Sequence, residues 1–96
     1  MRIYISGKIT GLNVDYAKQL FKNAQERIEA TGCEAVNPFD IIPYSPELVW
    51  EDYMIADIRE LFKCDAIYML ENWQGSKGAR IEHAIAKEMD LLIIVG

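Results

Sequence analysis

The run Asp65-Ala66-Ile67-Tyr68-Met69-Leu70, followed after five intervening residues by Ser76-Lys77-Gly78-Ala79-Arg80-Ile81-Glu82, decides how this chain is read. The first part is apolar, β-branched and aromatic, which suits a buried strand. The second is a small-residue turn that opens an Ala-rich helical run to Met89 and sets a carboxylate about one turn inside it. Strand, turn and helix in that order belong to an open α/β sheet, where ligands gather at the carboxyl ends of the strands.

The rest of the chain repeats the pattern. Arg2-Ile3-Tyr4-Ile5-Ser6 is a β-prone run, ended by Gly7-Lys8-Ile9-Thr10-Gly11, whose glycines suit a tight strand-to-helix turn. Ala17, Leu20, Phe21, Ala24 and Ile28 recur at helical steps until Gly32, and Cys33-Glu34-Ala35-Val36 makes a second brief strand. Residues 37 to 46 hold all three prolines and predict an ordered loop. Trp50, Met54, Ile58, Leu61 and Phe62 form a second helical stripe, with Tyr53 and Asp57 at its shoulder. In the third helix Ile81, Ala84, Ile85 and Met89 are expected to face the core, and Leu91 to Val95 close the chain as strand four.

Strict alternation with nearly all-apolar strands predicts an α/β fold: one domain over residues 1–96, a flavodoxin- or Rossmann-like three-layer sandwich around a parallel four-stranded sheet of order 2-1-3-4. In that order the turns at 7–11 and 75–78 flank a switch-point crevice.

Composition narrows the function classes. The 96 residues carry a formal charge of −5 and no Lys/Arg cluster, which argues against a nucleic-acid polymer as partner. Cys33 and Cys64 lack metal-ligand spacing, so reduced thiols are expected and no metal. There is no signal-peptide h-region and no run of 18 apolar residues, so a soluble cytoplasmic protein without a membrane partner is expected. A chain this short gains from a partner copy, which predicts a homo-oligomer.

The chemistry-bearing residues are few. Neither Gly-x-x-x-x-Gly-Lys-Ser/Thr nor Gly-x-Gly-x-x-Gly occurs, which weakens ATPase and nicotinamide-dehydrogenase readings; the 7–11 turn is either an anion or sugar cradle or a structural turn. Glu82 in its helix and Asp57 beside an aromatic seam offer two carboxylates, and two that converge suit glycosyl transfer, one as nucleophile and one as acid/base. Trp73, and after it Trp50 or Tyr53, offers a stacking surface for a planar base or packs the core. Lys77 and Arg80 are anion contacts or solvated surface, and His83 points about 100° away from Glu82 on the helix.

Three blocks, Tyr4-Ile5-Ser6-Gly7-Lys8-Ile9-Thr10-Gly11, then Asp57 eight residues before Asp65, then Ser76 to Glu82, together resemble the nucleoside deoxyribosyltransferase superfamily, which includes the 2′-deoxynucleoside 5′-phosphate N-hydrolases. The resemblance implies a flavodoxin-like fold in which Glu82 attacks the anomeric carbon of a deoxyribosyl group and Asp57 assists departure of the base. Tyr4 and Gly7 match residues lining the sugar pocket. Ser76 matches a position that contacts phosphate in the N-hydrolases and is aspartate in the transferases. Where the N-hydrolases carry serine and arginine in the first loop, this chain has Lys8 and Thr10, with Lys8 able to serve as a point charge. The superfamily's members continue past strand four into an element that completes a neighbour's site; the sequence here ends at Gly96.

The expectation is therefore N-glycosidic cleavage or deoxyribosyl transfer on a nucleoside or its monophosphate, through a covalent glycosyl-Glu82 intermediate and without a cofactor. Glu82 and Asp57 are the catalytic candidates, and Tyr4, Gly7, Lys8, Ser76, Gly78 and Trp73 the substrate-binding ones. The alternatives are a catalytically silent nucleotide-binding module of the same fold, which the ending at Gly96 favours, and an NAD-type glycohydrolase.

Overall fold

A computed structural model describes residues 1–43 and 45–96; Tyr44, expected within the proline-rich loop, lies outside the described residues. Four strands, β1 (Arg2–Ser6), β2 (Glu34–Val36), β3 (Ala66–Met69) and β4 (Leu92–Val95), alternate with three helices, α1 (Val14–Glu29), α2 (Trp50–Leu61) and α3 (Lys77–Glu88). All strand pairs are parallel and the order is β2-β1-β3-β4, as the alternation predicts. Two short 3-10 turns, Pro38–Asp40 and Trp73–Gly75, follow β2 and precede α3.

The period-two geometry of β1 divides the core. Ile3 and Ile5 point to one face, where Phe21, Ala24 and Ile28 of α1 cover them together with Ala66 and Leu70. Tyr4 points to the other face, against Val36, Ile67, Met69, Leu61 of α2 and Ala79 and Ala86 of α3. One helix thus lies on one side and two on the other, and at the central β1–β3 pair Tyr4 is in register with Ile67 and Ser6 with Met69.

The turn after β1 is fixed by close approach. A Cβ built on Gly7 would stand 2.6 Å from Leu70 Cδ1 and 2.8 Å from Leu70 Cβ, so only glycine lets the chain leave the sheet here without displacing the end of β3.

Two expectations about the helices need correction. Phe62, counted into the α2 stripe, is 58% exposed. In α3, Ile81 and Ala84 are exposed and the buried positions are Ala79, Glu82 and Ala86. The helix is rotated from the phase that hydrophobicity alone gives, because two alanines let it settle close to the sheet and the glutamate between them finds partners there. A carboxylate is turned inward while an isoleucine faces out.

Candidate active site

Ser76 begins α3: its Oγ accepts the backbone N–H of Ala79 at 3.1 Å, satisfying one of the free donors of the first turn. About one and a half turns of helix then carry Glu82 over the end of β1. Its carboxylate, 4% exposed, accepts from the Tyr4 hydroxyl at 2.7 Å on Oε2 and from the Ser6 hydroxyl at 2.7 Å on Oε1. Both donors stand on the same face of β1, two residues apart, so a single strand supplies a hydroxyl to each carboxylate oxygen.

Burial pushes the Glu82 carboxyl up to about 7, against the opposing pull of the Ser6 and Tyr4 hydroxyls, which favour the ionised form. Asp57, on α2, is also raised to about 7, first by burial and second by repulsion from Glu82. Among the described residues no hydrogen bond reaches the Asp57 carboxylate, so the two acids differ: one has its charge stabilised by two donors, the other does not. The Tyr4 phenol is pushed well above its ordinary range, by burial and then by the Glu82 charge, and keeps its proton.

Both carboxylates line one cavity of about 770 Å³, bounded by β1 and the turn after it, by the 3-10 turn after β2 and by α1, α2 and the start of α3, within the usual range for small-molecule sites. Tyr4, Gly7, Ser76 and Gly78 line it too. Gly78 matters for its shape: a Cβ there would meet Met54 Sδ at 2.9 Å, so glycine lets α2 and α3 close on one another beside the acids. The remaining walls are largely apolar and aromatic, with Phe39, Trp50 and Tyr53 among them.

Two expected contacts are not part of this lining. Trp73 stacks on His83, with ring centroids 4.3 Å apart and planes 23° from parallel, and packs against the core on the α3 side. Lys8 lies outside the lining; its backbone N–H donates to Asn72 Oδ1 at 3.0 Å, and its side chain rests beside Gly75 at the entrance to α3. Ser6 and Phe39 join the site without being among the sequence candidates. The signal for Ser6 was available, since a hydroxyl two residues beyond Tyr4 must share its face; nothing local marked Phe39.

Elsewhere the chemistry is quiet. Among the described residues no three His, Cys, Asp or Glu side chains gather as a metal-ligand group. Both cysteines are free, and burial raises the Cys64 thiol to about 11, which keeps it protonated. No described helix is long and apolar enough to cross a membrane.

A family model described as a domain of unknown function, DUF4406, matches residues 1–95. The chain belongs to the DUF4406 family. A comparison with curated protein sequences finds no match for it. Among solved structures, the DUF4406 chain is similar to a 2-deoxyribosyltransferase from Bacillus psychrosaccharolyticus, at 14% identity and a TM-score of 0.76 over 99% of this chain and 71% of that one. It is similar also to a CMP N-glycosidase from Clostridium botulinum, at 21% identity and a TM-score of 0.66 over 99% of this chain and 67% of that one. A 2-deoxyribosyltransferase from Leishmania mexicana gives 17% identity and a TM-score of 0.72, with 98% of this chain and 62% of that one covered. The DUF4406 chain thus has the fold of the nucleoside 2-deoxyribosyltransferases, over about two thirds of their length.

Proposed function

We propose that this protein cleaves or transfers the N-glycosidic bond of a nucleoside or nucleoside monophosphate, with Glu82 as nucleophile and Asp57 as acid/base. The observation that carries this reading is the asymmetry of the acid pair. Both carboxyls face one cavity and burial raises both to about 7, yet only Glu82 is held by two hydroxyl donors. The Tyr4 and Ser6 hydroxyls favour charge on Glu82, and that charge favours the protonated form of Asp57, so this reading assigns the proton to Asp57. That is the assignment a retaining displacement needs.

In the first step a Glu82 oxygen bonds to the anomeric carbon, the carbon–nitrogen bond breaks, and its electron pair leaves on the base, which takes the Asp57 proton. In the second, water or another base attacks the same carbon, gives a proton to Asp57 and releases the Glu82 carboxylate. Water makes the reaction hydrolysis and a base makes it transfer.

The cavity walls support one placement of the substrate. The first turn of α3 with Ser76, and the Lys8 side chain beside Gly75, favour a 5′-phosphate on that side. The sugar lies over Tyr4, Gly7 and Gly78, and the base extends among Phe39, Trp50 and Tyr53. The exposed side chains of Ile55, Phe62, Leu92 and Val95 support the expected homo-oligomer, which light scattering coupled to size exclusion would measure.

The test is direct. Deoxynucleosides and their 5′-monophosphates are incubated with the protein and free base is followed by chromatography. Base release that falls at least a hundredfold in Glu82→Gln supports the reading; release undiminished in that variant removes Glu82 from it.

A further inference from the structure

The cavity is electrically polar, and the acid pair accounts for only one side of it. Asp57 and Glu82 come from the helices on one face of the sheet. On the other face, α1 contributes Lys18, which carries the one positive charge among the described residues lining the cavity. Its ammonium stands 5.9 Å from the centroid of the Phe39 ring. A second, polar hollow adjoins this place, lined again by Lys18 and Phe39 together with Lys22, Gln25, Asn37 and Asp40, so the lysine forms the partition between two recesses. Among the described residues no carboxylate lies within 4 Å of its ammonium, although Asp15 and Asp40 line the same hollow. Lys18 is thus a donor held over an aromatic ring without a fixed acceptor.

We infer that Lys18 is a specificity-determining residue that reads an acceptor atom on the edge of the leaving base. The inference rests on the placement proposed above, with phosphate at α3, sugar at the acid pair and base toward α1. A base seated in the cavity beside Phe39 brings its edge toward the ammonium over that ring. An ammonium has three donors and no acceptor, so it pairs with a ring nitrogen and an exocyclic carbonyl and is mismatched with an exocyclic amine. The selected substrate class is an oxo-base nucleotide, such as one carrying hypoxanthine or guanine, over its 6-amino counterpart.

The test separates this inference from the glycosidase reading by measuring binding where turnover is blocked. In the Glu82→Gln background, calorimetry compares 2′-deoxyinosine and 2′-deoxyadenosine 5′-monophosphates, which differ at the 6-position, and the two free deoxynucleosides. The expected result is binding of the inosine compounds about tenfold tighter than the adenosine ones, with the preference abolished by Lys18→Met and kept by Lys18→Arg. Lys18 is exposed, so neither substitution disturbs the core. Three results overturn the inference: no preference between the bases, no binding of any of the four compounds, or a Lys18→Met loss confined to the phosphorylated pair whatever the base, which makes Lys18 a phosphate contact. A Lys18-dependent preference in a protein whose wild type releases no base supports the inference and overturns the glycosidase reading.

Discussion

Tyr4 of the first strand donates its phenolic hydrogen to Oε2 of Glu82 at 2.7 Å, across 78 positions of sequence and in a site where Tyr4 is fully buried. That bond, doubled by Ser6, is what lets a carboxylate replace an apolar side chain on the inner face of α3.

Removing the donor shifts the titration of Glu82. The hydroxyls favour its ionised form, so Tyr4→Phe raises its pKa further and the acidic limb of the pH–rate profile moves to higher pH. At pH 6 kcat/KM is expected to fall about tenfold, and at pH 8.5 by less, since each tenfold change in proton affinity is worth about 1.4 kcal/mol. A pH-independent loss would assign Tyr4 a packing role alone.

The acid pair also sets how stability varies with pH. Folded-state values near 7, above the ordinary carboxylate values of 4.5 for Glu82 and 3.8 for Asp57, mean that the folded protein holds more protons than the unfolded chain between about pH 4 and 7. The stability linked to these groups is fully present below pH 4 and is lost as pH rises through 7. Glu82→Gln keeps the shape and removes the charge. It is expected to raise stability at pH 8 by on the order of 2 kcal/mol and to flatten the decline between pH 5 and 8, as urea titration at several pH values would show.

Gly7 is the tightest point of the turn that delivers β1 to the site. Gly7→Ala drives a Cβ to within 2.6–2.9 Å of three Leu70 atoms and should lower stability by about 1–3 kcal/mol. Gly75→Ala is the control, because its Cβ meets only the Lys8 side chain at 3.7 Å, and thermal denaturation should place it within about 0.5 kcal/mol of wild type.

The two tryptophans should separate by readout. Trp50 is 37% exposed and lines the cavity, with the Lys77 ammonium 4.9 Å from its ring centroid, so Trp50→Ala should raise KM about tenfold with little change in Tm. Trp73 packs on His83 and the core, so Trp73→Ala should lower Tm by several degrees.

Much of this was legible in the sequence, and the limits have physical causes. The order of strands and helices follows from apolar runs and glycine stops, which are local signals, and the sheet order follows from the few topologies that right-handed crossovers allow. The inner face of α3 departs from its hydrophobic stripe, since a periodicity count ranks Ile81 above Glu82. What decides that face is the small size of Ala79 and Ala86 and two hydroxyls on a distant strand, neither of which a hydrophobic stripe encodes. Likewise Trp73 sits close to the site motif in sequence yet stacks on His83, while Phe39 reaches the cavity from the far side of the sheet through a 3-10 turn. The residues themselves offer Asp57 and Glu82 as a pair if they converge, and the family resemblance adds their roles; spacing along the chain could not show that two acids on different helices face one cavity.

The central claim is that Glu82 becomes covalently glycosylated. Acid quenching of the protein during incubation with 2′-deoxynucleoside 5′-monophosphates, followed by peptide mass mapping, tests it most directly. A deoxyribosyl phosphate adduct on the peptide containing Glu82, absent in Glu82→Gln, is the predicted result. Steady release of base with no adduct on that peptide, and with the Glu82→Gln variant equally active, would contradict it.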